Sequence, residues 1–409
     1  MKKNDTFELK ITDITNDGEG VGKQDSFVWF VKDTIPGDEI VASAMKLKKN
    51  YGYARLVSVI KPSSDRVKAR CPKARACGGC TLQCMSYEAQ LKFKQNKVRN
   101  NLERIGGFKD IDVLPAIGMD DPWRYRNKAI VPVGKDKSGR TAAGFYAAHS
   151  HDIIECEDCL LQPEEFKNII RENIDDKMSH MLLRKGFKTG QLMAYAVENY
   201  DNNAVLSGKL THIAGEEIIE DYIGDIKFKI SPRSFFQVNP VQVEKLYGKA
   251  IEFADLTGRE TVWDLYCGIG TITLSLAKNA KKVYGVEIVE DAIRDAKENA
   301  AENGISNVEF FVGKAEDIVT KEEWASPEYK PDVVVVDPPR KGCDAACLDT
   351  IIKMAPERVV YVSCDSATLA RDLKILCESG YTLKEVQPVD MFPQTVHVEC
   401  VVEIQRVHP

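Results

Sequence analysis

The chain has 409 residues and a net charge of −6, with 29% of residues charged. That length implies two or three domains, and the composition excludes a collagen-like or disordered chain. No stretch approaches the roughly 18 apolar residues that span a bilayer, and no apolar run follows the lysines of MKKNDTFELK, so neither a membrane anchor nor a signal peptide is expected. A soluble, cytoplasmic monomer without membrane contact is therefore expected. In that compartment 12 cysteines point to metal binding or catalysis rather than disulfides. The charge is uneven: Lys46 to Lys128 carries 19 Lys and Arg against 7 Asp and Glu, leaving 37 against 55 elsewhere. Such a segment reads as a polyanion-binding face on an otherwise acidic protein.

Residues 1–60 read as a first domain of short strands. FELKITDI alternates at period two, NDGEGVGK is a Gly-rich turn, SFVWFVKDTI is a second strand, and two more follow, joined by a basic turn. This pattern predicts a small OB-like β-barrel. The KLKKNYGYAR hairpin is suited to RNA, with cations for the backbone and aromatic rings for bases. Residues 61–232 read as a central α+β domain. It opens with a cysteine-rich stretch, CPKARACGGCTLQC, and a helix within 85–115 whose stripe is Leu91, Val98, Leu102 and Ile105, stopped by Gly106 and Gly107. That helix is expected to pack on the catalytic domain. Strand-like segments then alternate with one helical segment near 163–182.

From about 233 to 409 short apolar strands alternate with helices, the signature of a parallel, doubly wound α/β sheet. Ligands of such sheets bind at the carboxyl ends of strands. TVWDLYCGIGT places Tyr266, Gly268 and Gly270 at one such end, and KKVYGVEI ends in Glu287, where a carboxylate can hold ribose hydroxyls. The pattern lacks the third glycine of a dinucleotide fingerprint, leaving NAD and S-adenosylmethionine both open. PDVVVVDPPRKG puts Asp337 at the next strand end, before two prolines that hold an extended loop. Such a loop suits a methyltransferase that sets a planar base beside a sulfonium methyl.

Cys364 ends the following strand, in VVYVSCDSATL, ahead of a helix whose N-terminus should favour the thiolate. C5 of uracil is a poor nucleophile, and thiolate addition at C6 activates it. A base must then take the C5 proton; Glu399 in HVECVVEI, an acid in an otherwise apolar strand, is the candidate.

The sequence resembles the RNA 5-methyluridine methyltransferases, in particular the iron–sulfur branch that modifies 23S ribosomal RNA. The resemblance rests on FFQVNP (235–240), DLYCGIGT (264–271), the strand ending in Glu287, DPPRKG (337–342), YVSCD (361–365) and HVECV (397–401). It implies a Rossmann-like class I methyltransferase domain, a TRAM barrel at the N-terminus, and an acceptor that is RNA, here 23S rRNA. It also implies that Gln237, Tyr266, Glu287 and Asp337 contact S-adenosylmethionine, that Cys364 is the nucleophile and that Glu399 is the base. Lys314 in FVGKAED departs from the asparagine that some members carry there. Among cysteines, Cys77/Cys80 with Cys156/Cys159 gives two C-x2-C pairs, a zinc-compatible spacing. Cys71, Cys77, Cys80 and one distal cysteine would instead hold a [4Fe–4S] cluster. The resemblance implies the cluster, with Cys159 as fourth ligand and Cys84 and Cys156 as ordinary thiols. A tRNA acceptor, an RNA cytosine-5 methyltransferase and an iron–sulfur redox protein with an RNA-binding module are the competing readings.

Overall fold

Alternation in TFELKITDI puts Phe7, Leu9 and Ile11 on one side of β1 (Thr6–Ile14), and all three are buried. The computed structural model describes residues 1–136, 138–148, 150–200, 208–319, 326 and 329–408. The stretch expected to be a Gly-rich turn contains a strand of its own, β2 (Gly20–Gln24). Glycine is needed there because a Cβ on Gly22 would sit 2.6 Å from the Lys10 carbonyl and 2.7 Å from Leu9. With β3 (Phe27–Val31), β4 (Glu39–Leu47) and β5 (Tyr51–Lys61) these strands close a barrel in the order β1-β2-β3-β5-β4. Trp29, Val31 and Ile40 complete its core.

The Cys-rich segment leads into α1 (Tyr87–Asn101), capped by Ser86 Oγ accepting from Ala89 N at 3.3 Å. The helix runs on through one π-turn and stops at Gly107, whose φ of 75° only glycine adopts without cost. Its buried face keeps Val98 and Leu102 of the expected stripe and adds Gln90, Phe93, Lys94 and Asn101, whereas Ile105 is 44% exposed. The helix is wedged between barrel and catalytic sheet, so its polar side chains find partners on both sides.

The central region is a six-stranded antiparallel sheet. It comprises β6 (Lys128–Lys135), β7 (Thr141–Tyr146), β8 (Ile153–Glu155), β9 (His180–Lys185), β10 (Leu192–Glu198) and β11 (Lys209–Gly215), in the order β11-β10-β9-β6-β7-β8. The helix α2 (Glu165–Asn173) packs Phe166 against Val131 and Met181. It is shorter than the 163–182 expected, because His180–Lys185 is recruited as a strand between β6 and β10. A hairpin, β12 (Ile219–Ile223) and β13 (Ile226–Ile230), leads to the last domain.

That domain is the expected doubly wound α/β sheet. After α3 (Pro240–Ala254) come β14 (Thr261–Asp264), α4 (Thr271–Ala277), β15 (Lys282–Glu287), α5 (Glu290–Glu302), β16 (Val308–Val312), α6 (Ala315–Val319) and β17 (Val333–Val336). Next are α7 (Ala345–Met354), β18 (Arg358–Ser363), α8 (Ser366–Glu378), β19 (Tyr381–Val389) and β20 (Glu399–Arg406). The strand order is β16-β15-β14-β17-β18-β20-β19, with β20 antiparallel to both neighbours. All four valines of β17 are buried, as a strand covered on both faces requires. Among the described residues no helix is long and apolar enough to cross a membrane.

Candidate active site

The order of strands reverses between β14 and β17, which is where an open α/β sheet leaves a crevice for ligands. The loop after β14 turns at Gly268, φ 54°, and Gly270, φ 86°. A Cβ on Gly268 would meet nothing within 4 Å, so this residue faces open space. Glu287, at the end of β15, accepts from Gly268 N at 3.3 Å and from Val289 N at 3.0 Å. Its carboxylate is thus fixed at the rim with lone pairs to spare. Asp264 is fully buried; its Oδ2 accepts from Thr273 Oγ1 at 2.6 Å while its Oδ1 has no partner. Burial pushes its carboxyl up to about 6.

Gln237 is buried in the loop before α3, where its carbonyl accepts from Asn127 Nδ2 at 3.0 Å. Tyr266 is half-buried against the core beneath the loop, where burial and the neighbouring thiols of Cys343 and Cys347 push its hydroxyl up. Lys314, exposed, pairs at 3.9 Å with Glu316.

Asp337 follows β17 and Cys364 follows β18, so the sheet brings their side chains to the same edge. β18 and β20 pair antiparallel with Ser363 opposite Cys400. That register carries Cys364 and Glu399 to facing positions just past the last pair of the ladder. Glu399 is 4% exposed. Burial, and then the neighbouring Asp337 carboxylate, push it up to about 8, while Arg340 opposes them. Burial and the Asp264 charge push Asp337 up to about 7.

The thiol of Cys364 is also pushed up, to about 11, by burial and then by the charges of Glu399 and Asp337, against Arg340. A lowered value was expected from the helix N-terminus. The end of α8 is already taken: Asp365 Oδ1 accepts from Ala367 N at 2.9 Å and Thr368 N at 3.1 Å, so little of the dipole is left for the thiol.

Three neighbours were not singled out from the sequence. Arg340 lies within electrostatic reach of Cys364, Glu399 and His397. His397 is held neutral, its imidazole pushed down to about 4 by burial and by Arg340, Lys97, Lys94 and Arg126. Tyr247, on α3, is buried beside Asp337 and Glu399 and bonds Thr271 Oγ1 at 2.9 Å. Arg340 had a signal in its place after the two prolines; a tyrosine on an amphipathic helix had none.

The cysteine-rich segment forms a second group of side chains. Cys80 and Cys159 pack with Met119, Tyr125 and Leu161. Arg124 ties the distal loop down, donating to Asp158 Oδ2 at 2.8 Å and to the Cys159 carbonyl at 3.0 Å. Burial pushes Cys80 up to about 12 and Cys159 to about 11, and in each the charges of Cys71 and Cys77 add to that. Cys156 also feels Cys159, Cys71 and Cys77, whereas Cys84 sits by Arg66, Asp33 and Asp38 of the barrel. Among the described residues, no three His, Cys, Asp or Glu side chains are close enough to hold one metal ion.

Known proteins resemble the chain over nearly its whole length. A family model for tRNA (uracil-5-)-methyltransferases matches residues 208–407, and one for the TRAM domain matches residues 2–57. An uncharacterized RNA methyltransferase of Halalkalibacterium halodurans is 47% identical over 99% of this chain and 98% of its own. The chain belongs to the RNA (uracil-5-)-methyltransferase family. Another relative of this enzyme, an uncharacterized RNA methyltransferase of Clostridium acetobutylicum, is 45% identical over 100% of this chain and 98% of its own. The fold is shared with the Pyrococcus abyssi tRNA (uracil-54, C5)-methyltransferase crystallised with S-adenosyl-L-homocysteine. The TM-score is 0.75 at 27% identity, covering 97% of this chain and 100% of that one. The barrel at the N-terminus of this methyltransferase is therefore a TRAM domain.

Proposed function

We propose that this methyltransferase transfers the methyl group of S-adenosylmethionine to C5 of a uridine in 23S rRNA, with Cys364 as nucleophile and Glu399 as base. The observation that carries the reading is the pairing of β18 with β20, which sets thiol and carboxyl face to face at the strand end beside Asp337. When bound, the cofactor supplies an electrophilic methyl group on a sulfonium. The site fits it: open space at Gly268, the orphaned Asp264 Oδ1 and the fixed Glu287 carboxylate line the crevice. Gln237, Tyr266, Glu287 and Asp337 would hold it, with Gly268 giving the backbone room to approach.

The sulfur of Cys364 adds to C6 of the uracil, and the electrons of the C5–C6 double bond move toward O4. C5 then forms its bond to the methyl carbon as the carbon–sulfonium bond breaks. Glu399 takes the proton from C5, the double bond reforms, and the thiolate leaves. Arg340 favours this sequence, lowering both the Cys364 thiol and the Glu399 carboxyl toward their reactive, ionised forms. A cytosine-5 reading is disfavoured because Cys343, after the two prolines, is 3% exposed with its amide held by Asp372 Oδ2 at 2.9 Å.

For the second group we carry forward the [4Fe–4S] cluster on Cys71, Cys77, Cys80 and Cys159 that the resemblance implies, supported by the packing of Cys80 and Cys159, from two separate loops, in one small cluster of side chains. Protein isolated without oxygen should then carry iron and sulfide near four each per chain; stoichiometric zinc in their place refutes the cluster. A tRNA acceptor is the second reading, supported by the shared fold of the Pyrococcus abyssi tRNA (uracil-54, C5)-methyltransferase. Mapping of 5-methyluridine in rRNA and tRNA from cells lacking the protein decides between them. Restoration by the wild-type gene and not by Cys364→Ala is expected; restoration by both would remove Cys364 from its role.

A further inference from the structure

The segment that delivers Glu399, residues 390–398, is held at its start by Asn239 and Gln242, which donate to the carbonyls of Met391 at 3.1 Å and Asp390 at 3.0 Å, and further along by the region following Cys80. Gln394 is its sharpest point: φ is 70°, in the left-handed region a side chain seldom occupies, and the residue is 3% exposed. Its carbonyl accepts from Thr81 N at 3.0 Å and Leu82 N at 3.1 Å, the first two residues after Cys80. Its amide and side chain are held by a single partner on α1. Gln394 N donates to Gln90 Oε1 at 3.0 Å, and Gln90 Nε2 donates to Gln394 Oε1 at 3.1 Å.

Gln90 is 1% exposed and its Nε2 also reaches the carbonyls of Leu82 at 3.2 Å and Met85 at 3.0 Å. One buried amide thus joins three backbones: the cysteine-rich loop, α1 and the catalytic segment. The neighbours of Gln394 are fixed from the same side. Tyr125, packed against Cys80 and Cys159, donates to the Pro393 carbonyl at 3.0 Å, and Lys97 donates to the Val396 carbonyl at 3.0 Å. Val396 itself packs on Leu82, Met85 and Phe93. Only Thr395, Val396, His397 and Val398 separate the strained turn from Glu399.

We propose that Gln90 and Gln394 are positioning residues for Glu399: their reciprocal amide pair holds the left-handed turn that sets where β20 begins. This rests on the reading of Glu399 as the base. An amide pair that only stabilised the fold would, when lost, lower the amount of active enzyme and leave its kinetics alone. A pair that aims the base acts on one step, removal of the C5 proton, which follows addition of Cys364 and transfer of the methyl group. A displacement of about 1 Å at such a step slows it by up to about 10²-fold.

The test uses the full chain and a transcript carrying the mapped uridine. Gln90→Ala should bind S-adenosylhomocysteine within twofold of wild type and keep its KM for RNA. Its kcat should fall at least tenfold while a covalent protein–RNA adduct, visible on a denaturing gel, accumulates as in Glu399→Gln. Should Gln90→Ala not fold, Gln394→Ala is read in the same assay, since it keeps both backbone bonds from Thr81 and Leu82. Normal turnover without adduct in the folded variant, beside trapped adduct in Glu399→Gln, overturns the positioning role alone. Absence of adduct in Glu399→Gln overturns the base assignment and this proposal with it.

Discussion

A carboxyl raised from 4.5 to about 8 is a stability statement as well as a catalytic one. Below about pH 4.5 Glu399 is protonated in both the folded and the unfolded chain, and its burial costs nothing extra. As pH rises from there toward 8, the unfolded chain ionises and the folded one does not, so stability is lost at about 1.4 kcal/mol per pH unit. Glu399→Gln should therefore melt a few degrees above wild type at pH 8.5 and level with it near pH 4.5. Equal melting temperatures across that range would show that Glu399 is solvated. Activity should move the other way, falling on the acid side of about pH 8 as the base takes up its proton. At this scale the place of Cys364 just past a strand end was legible, because strand ends can be counted from apolar runs, whereas the antiparallel pairing that sets Glu399 opposite it was not. The direction of the thiol's shift was not, since burial and two facing acids come from three strands that the sequence does not align. Tyr247 and His397 were missed for the same reason: their meaning lies in what they face.

At the scale of elements, the alternating strands and helices after residue 240 were readable from periodicity, and the errors came where pairing overrode it. β2 was taken for a turn because glycine reads as a breaker; its glycines are there to let β1 pack closely. The KLKKNYGYAR hairpin was read as an RNA surface, and the barrel adds a third ring to it. β3 and β5 pair in parallel with Phe30 opposite Tyr53, so a half-buried Phe30 backs the exposed Tyr51 and Tyr53, with ring centroids 5.6 to 5.9 Å apart. Lys48 and Lys49 stand at the tip of the same hairpin, both exposed. Rings and lysines should be separable by salt. Tyr53→Ala should weaken RNA binding by about 1–3 kcal/mol with the salt dependence unchanged. Changing both lysines to Ala should lower the slope of log K against log salt by about 1.4, as two lost phosphate contacts to a single strand require. If the tyrosine variant alters the slope instead, the hairpin does not stack bases.

For the molecule as a whole, α1 is the joint. Its sequence was read as an amphipathic helix with an aliphatic stripe of Leu91, Val98, Leu102 and Ile105, a reading that left Gln90 and Lys94 without a role. They are buried because the helix has protein on both sides, a fact that only the assembled fold contains. Lys94 forms a fully buried ion pair with Asp390 and donates to the Phe392 carbonyl at 3.0 Å; Asp390 also accepts from Tyr87 at 2.9 Å. Burial pulls the lysine down, and Asp390 holds it up. Removing one partner strands the other charge in the interior, so Lys94→Met should cost about 3–5 kcal/mol, and adding Asp390→Asn should recover a large part of it. The location of the loss matters more than its size. Lys97, one turn further on, bonds the carbonyls of Asn16 in the barrel and Val396 before the base, at 3.1 and 3.0 Å. If α1 couples the two domains, hydrogen exchange in Lys94→Met should quicken both in the 390–398 segment and along β1, while the centre of the catalytic sheet at β14 and β17 stays protected. Exchange that quickens in the 390–398 segment alone would make the pair a local brace, and the barrel an independent module.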